Sequence, residues 1–362
     1  MIRIAQAAAI PGLEIPFPMA LSIVLAIIAT AMYAVRAHQR RSRRHGRYRQ
    51  RSFVRHMRRH LDGDYAAADL RRDAAECSEG EFWSALERVS VRLRRRAWLR
   101  LSRTLERSPW VAAERRALRD DSSWRRLLAA RRLALIVSRP SRRALRRALV
   151  RGPELVTYAC AMSLARYRDL AALRWLLEHP AHLAHRPFVP LVSLLRAFGR
   201  AGAPVLTQTL EQEIGAPRFE RAAVEALGLI GTPGERRTRE AVERRLESPS
   251  EDMRVTAARA LGRLEAIESG TALLRALRDD AWPVRAQAAR ALGRANVAIA
   301  VFALGERLTD RSWWVRRHAA YALGNLGDDG HRTLRGIADG SPDPYARDIA
   351  REVLDGGPRY AA

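Results

Sequence analysis

Residue patterns that carry catalysis are missing from this chain. It has no His-Glu-x-x-His, no Cys-x-x-Cys and no phosphate-cradling Gly-x-x-x-x-Gly-Lys. Cys77 and Cys160 stand alone without metal-ligand spacing, which fits a reducing compartment. Gly228, Gly231 and Gly234 form a Gly-x-x-Gly-x-x-Gly run with no strand pattern before it, so it reads as a helix-end turn. The polar groups that remain recur instead of converging. Asp279 and Asp310, Arg254, Arg285, Arg316 and Arg347, Arg259 and Arg290, and Trp282 and Trp313 sit at matching places in a repeated pattern. Such groups can tie neighbouring units together, pack turns or offer contacts to a ligand, and none is paired as nucleophile and base. The expectation is no catalytic activity, no cofactor and no metal.

The element that positions them is a repeat. MRVTAARALG (253–262), VRAQAARALG (284–293), VRRHAAYALG (315–324) and ARDIAREVLD (346–355) start 31 residues apart, the mark of a stacked array. Within each unit the first residue and those four and eight later are small or apolar, as in Val284, Ala288 and Leu292. That spacing lays one stripe along a helix. A second apolar helix precedes each unit, at Thr271–Leu277, Val301–Leu308 and Thr333–Ala338. One hairpin cannot bury its apolar face alone, so the hairpins must stack.

The pattern Asp-x-x-x-x-Val-Arg…Ala-Leu-Gly at Asp279–Gly293 and Asp310–Gly324 resembles the short HEAT-like repeats of bacterial proteins, including the bilin-lyase-related class. The resemblance covers residues 219–355 most clearly and continues upstream in looser copies at Phe219–Gly228, Pro190–Gly199, Val156–Ala165 and Arg125–Ala134. It implies an all-α, right-handed α-solenoid of about eight repeats whose Val-Arg helices line a concave face. It also implies that Arg254, Asp279, Arg285, Asp310, Arg316 and Arg347 form a structural ladder between repeats. The position six residues into each repeat then faces the groove: Glu225, Arg259, Arg290, Tyr321 and Glu352, joined by Thr256, Gln287 and His318 at position three. These eight are the candidate partner-binding residues, suited to a protein segment. Di-iron hydroxylases of similar architecture use His-Glu pairs, whereas His318 is followed by Ala319. Nothing residue-specific carries bilin-lyase activity across.

Charge is distributed unevenly. All 65 basic residues are arginine, against 39 Asp and Glu, a composition that fits a GC-rich genome. Residues 1–152 hold 35 arginines and 13 acids, while 153–362 hold 30 and 26. The repeat array is therefore nearly neutral, which disfavours nucleic acid there, since phosphate binding needs clustered cations. Residues 15–35 are a 21-residue run without a charge, long enough for a membrane-spanning helix. Residues 36–61 follow with eleven arginines and no acid, against Arg3 and Glu14 in the preceding segment. By the positive-inside rule 1–14 lies outside and the rest in the cytoplasm, at a bacterial inner membrane. Arg36, Arg40, Arg41, Arg43 and Arg44 are placed to meet anionic lipid headgroups.

The remaining segments read as a linker at 62–80, a basic amphipathic helix at 81–108 that caps the solenoid or lies on the membrane, the solenoid at 109–355 and a tail at 356–362. The sequence thus predicts a membrane-tethered scaffold binding a protein partner, for example as accessory to a membrane enzyme. The alternatives are a nucleic-acid binder held at the membrane and a degenerate, lyase-like HEAT enzyme.

Overall fold

Two stretches of the chain form compact units, residues 1–113 and 114–362. The computed structural model describes residues 25, 28–33, 48–91, 93–212 and 215–356, and every regular element among them is a helix. The expected span at 15–35 falls largely outside the described residues; within it, Leu25 and residues 28–33 are helical and exposed. The 1–14 segment, Arg36, Arg40, Arg41, Arg43 and Arg44, and the tail after Gly356 also lie outside them. Among the described residues no single helix is long and apolar enough to cross a membrane.

The first unit is more ordered than its sequence suggests. Its helices are α1 (residues 48–62), α2 (Ala67–Glu76), α3 (Glu79–Ser90) and α4 (Arg95–Leu105). The basic 36–61 block thus ends in a packed helix, with Phe53 and Met57 of α1 buried and Phe53 stacked on Phe82 at 5.9 Å. Residues 62–80 are not a linker, because α2 buries Leu70 and Ala74, one helical turn apart. Ser78 then caps α3 in a reciprocal box with Glu81. The 81–108 segment is two helices instead of one. The first ends at Ser90 and the second starts at Arg95, Val91 is 83% exposed, and both halves bury a face through Phe82, Trp83, Leu86, Trp98, Leu101 and Leu105. His60 ties α1 to α4, its ring nitrogens 2.8 Å from the Tyr65 carbonyl and 3.0 Å from Thr104 Oγ1.

The second unit is the repeat array. After α5 (Pro109–Ala117), its helices are α6 (Ser123–Leu133), α7 (Arg139–Arg151), α8 (Glu154–Arg166), α9 (Leu170–Glu178), α10 (Phe188–Ala197), α11 (Ala203–Gln212) and α12 (Pro217–Ile230). They continue as α13 (Arg236–Glu243), α14 (Glu251–Arg263), α15 (Gly270–Ala276), α16 (Trp282–Arg294), α17 (Val301–Glu306), α18 (Trp313–Asn325), α19 (Gly327–Gly340) and α20 (Pro344–Leu354). The even-numbered helices α6 to α20 pack each on the next in one continuous row, and the odd-numbered ones form the layer behind it. The row is eight helices long, one for each repeat copy read from the sequence, and the unit is an α-solenoid.

The Ala-Leu-Gly signature has a packing cause. A Cβ on Gly262 would sit 2.9 Å from the Ala291 Cα, and one on Gly293 would sit 2.5 Å from the Ala322 Cα. The glycine therefore lets neighbouring helices meet backbone to side-chain stub, while Val284, Ala288, Leu292, Val315, Ala319 and Leu323 are all fully buried beneath. The turns repeat as strictly. Arg168, Gly199, Gly234, Glu265, Asn296 and Gly327 all adopt positive φ, between 51° and 78°, and the last four are spaced 31 residues apart. Gly234 is thus a turn residue, as the sequence reading has it.

Candidate functional site

About 100° separates successive side chains on a helix, so positions three, six and ten of each repeat share one side of its second helix. Position six brings Glu225 (α12), Arg259 (α14), Arg290 (α16), Tyr321 (α18) and Glu352 (α20) into one row. Position ten adds Arg263 and Arg294, which sequence reasoning passed over. Their signal was there: each lies four residues after a candidate arginine, and they are 31 residues apart.

Position three is nearer the apolar stripe than expected. Thr256 is 2% exposed and its hydroxyl donates to the Asp252 carbonyl at 2.7 Å, so it does not face the groove. Gln287 and His318 have longer side chains and emerge half-buried. Glu225 is likewise buried, held by Arg263 at 2.5 Å and facing the Arg259 Nε at 3.3 Å. At the far end Tyr321 donates to a Glu352 carboxylate oxygen at 2.7 Å, and Arg317 donates to the same oxygen at 3.2 Å. Arg317 also lies over the Tyr321 and Trp313 rings, at 4.9 and 5.1 Å.

Between these two ends α12, α14 and α16 enclose a cleft of about 440 Å³ lined by Arg259, Arg263, Gln287, Arg290 and Arg294 with the backbone of Gly228 and Gly262. Arg290 and Arg294 make no ion pair or hydrogen bond with any described residue. Gln287 Oε1 is buried without a hydrogen-bond partner, and the Arg259 Nε, in ion-pair range of Glu225, makes no hydrogen bond either. Burial first, and then the charges of Arg294, Arg263 and Arg259, make the Arg290 guanidinium easier to deprotonate than an ordinary arginine. The same field reaches His318: burial, then Arg290 and Arg317, push its imidazole down to about 4, so it is neutral at physiological pH.

The ladder occupies a different edge. Arg254 grips Asp279 with two hydrogen bonds of 2.7 and 2.9 Å, and Arg285 grips Asp310 with two of 2.9 Å. Each arginine also donates to carbonyls of the turn before its own helix, such as Ser248 and Asp279. Arg347 donates to the Ser341 and Pro342 carbonyls, and Arg316 stands 3.8 Å from Asp343, a carboxylate not anticipated from sequence because Ser341 holds the ladder position and the acid stands two places later. Burial alone would raise the Asp279 and Asp310 carboxyls, but the guanidinium and backbone N–H donors outweigh it and hold both below the usual range. Trp282, Trp313 and Trp314 are about half exposed at the hairpin turns, with Trp313 and Trp314 packed edge to face. Cys77 and Cys160 are buried, free, and pushed up to about 12 chiefly by burial, so neither thiolate forms near neutrality.

Residues 203–293 and 270–355 match the HEAT repeats family. No curated protein matches the chain. Among solved structures it is similar to Escherichia coli YibA (16% identity, 80% of this chain and 95% of that one, TM-score 0.38). It is also similar to human deoxyhypusine hydroxylase in complex with glycerol (20% identity, 76% and 96%, TM-score 0.30). A third is the CpcE–CpcF complex of phycocyanin lyase from a Nostoc species (22% identity, 80% and 93%, TM-score 0.25). Two of these three are enzymes or parts of one, which overturns the expectation that this chain is not an enzyme. At these identities and scores their chemistry is not carried over.

Proposed function

We propose that this HEAT-repeat protein is a scaffold that seats a protein partner along the face of α12 to α20, held at the cytoplasmic side of a membrane by residues 15–35. The observation that carries the reading is the row of polar groups on consecutive second helices whose hydrogen-bonding capacity the fold does not use, Gln287 Oε1 and the Arg290 guanidinium among them. A buried polar atom without a partner is costly, and a bound segment supplies the missing partner. Solenoids present such faces as long continuous surfaces. The tether is supported by the uncharged run at 15–35 and the eleven arginines after it, which favour this orientation and contact with anionic lipid. Anchoring raises the effective concentration of the groove near membrane targets.

The test is co-purification of the full-length protein from nuclease-treated native membranes in mild detergent, beside a variant with Arg259, Arg290 and Tyr321 all changed to Ala. A stoichiometric protein that accompanies the wild type and is lost from the variant is the expected result. Equal recovery with both, or none with either, overturns the groove as a partner site.

A further inference from the structure

The cleft between α14 and α16 holds more positive charge than any role in the fold explains. Arg259, Arg263, Arg290 and Arg294 face it from two neighbouring helices, and among the described residues Glu225 at one end is the single carboxylate that reaches them. Glu225 engages Arg259 and Arg263 only. Each guanidinium carries five N–H donors in a fixed fork, and those of Arg290 and Arg294 meet no described acceptor. Arg290 is half-buried beside the exposed Arg294, and like charges repel, so the pair works against folding as the chain stands. An oxyanion seated among the four would reverse the sign of that interaction, because bidentate arginine contacts are among the strongest charge-assisted hydrogen bonds.

We propose that this cleft is an oxyanion subsite that takes one compact anionic group, a phosphoryl or a carboxylate cluster, from an acidic segment of the bound partner. The inference rests on the reading of the groove as a partner site. Charge along the row limits what fits. Glu225 bounds the positive window on one side, and the Arg317–Tyr321–Glu352 cluster bounds it on the other. The window is two helices wide, roughly 10 Å at ordinary helix spacing. A continuous polyphosphate backbone would run onto carboxylates at either end, whereas one phosphoserine or a pair of adjacent glutamates fits between them. His318 sits beside the window and reports its charge, since Arg290 is one cause of its low pKa.

The experiment uses full-length protein in detergent with three probes at fixed ionic strength: inorganic phosphate, a fluorescent ten-residue glutamate-rich peptide with its phosphoserine counterpart, and a short DNA duplex. Phosphate is expected to raise the melting temperature of the wild type but not of an Arg290→Gln/Arg294→Gln variant. It should also move the His318 imidazole resonance titration upward from about 4. The variant should bind the peptides at least about tenfold more weakly, the loss expected when bidentate contacts go. Should that variant not fold, Arg290→Lys keeps the charge without the fork and should weaken peptide binding severalfold.

An equal phosphate effect in wild type and variant, or no effect of phosphate or peptide on the wild type, overturns the subsite. Duplex bound more tightly than either peptide overturns the acidic segment as its source. If phosphate acts as expected while membranes yield no partner, the subsite stands and the scaffold reading falls. A captured partner with no phosphate or peptide effect means the reverse.

Discussion

The second helices carry arginine on two sides, and the two sides use it in opposite ways. On the ladder edge Arg254 and Arg285 each hold a carboxylate of the next hairpin in a bidentate grip and the carbonyls of the preceding turn. On the groove face Arg290 and Arg294 are surrounded by their own kind. One set of guanidiniums is part of what joins the repeats; the other is held in place in spite of them. Net charge cannot distinguish the two, because it sums over both sides of the helix. The near-neutral array is a basic cleft and an acid-balanced edge on the same elements.

The contrast can be broken where it is strongest. Asp310→Ala leaves Arg285 with no carboxylate at a site where Asp310 is 4% and Arg285 14% exposed. Removing one member of a buried pair should cost about 3 kcal/mol, read as a large drop in denaturation midpoint. A loss as small as that of an exposed ion pair would mean that the ladder does not join the repeats. Gly293→Ala comes next, at about 2 kcal/mol, because the added methyl meets the Ala322 backbone. It should also weaken peptide binding by shifting α16 against α18, without touching a charge. Unchanged melting would show that the close approach is readily relaxed.

A pH ramp separates the two sides in one experiment. The folded chain protonates His318 only near 4, whereas its ordinary value is 6.5. Between those values the unfolded chain binds more protons, so stability falls as pH drops from about 6.5 toward 4, and His318→Gln should flatten that limb. The ladder carboxyls are lowered from 3.8, so their contribution is present above that value and is lost only as pH falls below it. An undiminished loss of stability between about 6.5 and 4 in the His318→Gln variant would contradict this division. The smallest effect has the opposite sign: Arg290→Gln should melt at or slightly above the wild type, because it removes repulsion. A clear loss of stability would place Arg290 with the ladder.

Much of the repeat architecture was legible because its physics is periodic. A stripe at every fourth residue and a glycine where two helices touch can both be read from letters. So can the ladder pairs at Asp279 and Asp310, since donor and acceptor keep a constant separation. What escaped has local causes. Asp343 was missed because Ser341 stands at the ladder position and the acid comes two places later. Thr256 was misplaced because a short side chain beside the stripe is drawn into the core. In the first unit the acids and glycines around α2 hid Leu70 and Ala74, whose partners are distant in sequence and not periodic. The groove's charge escaped because it depends on which side each acid takes, and a composition count has no sides.

The left-handed turn residues make the array divisible. Gly234, Glu265, Asn296 and Gly327 close successive hairpins with the same backbone conformation at the same interval, so the chain has interchangeable seams. Excising residues 266–296 would join Glu265 to Val297 and put the Glu265 seam in the place of the Asn296 one, leaving an array one hairpin shorter in which Arg259 and Arg263 stand directly beside Arg317 and Tyr321. The solenoid is in that sense a strip with marked cutting lines, and the order of charges along its groove can be rewritten by removing a length of chain instead of changing any side chain.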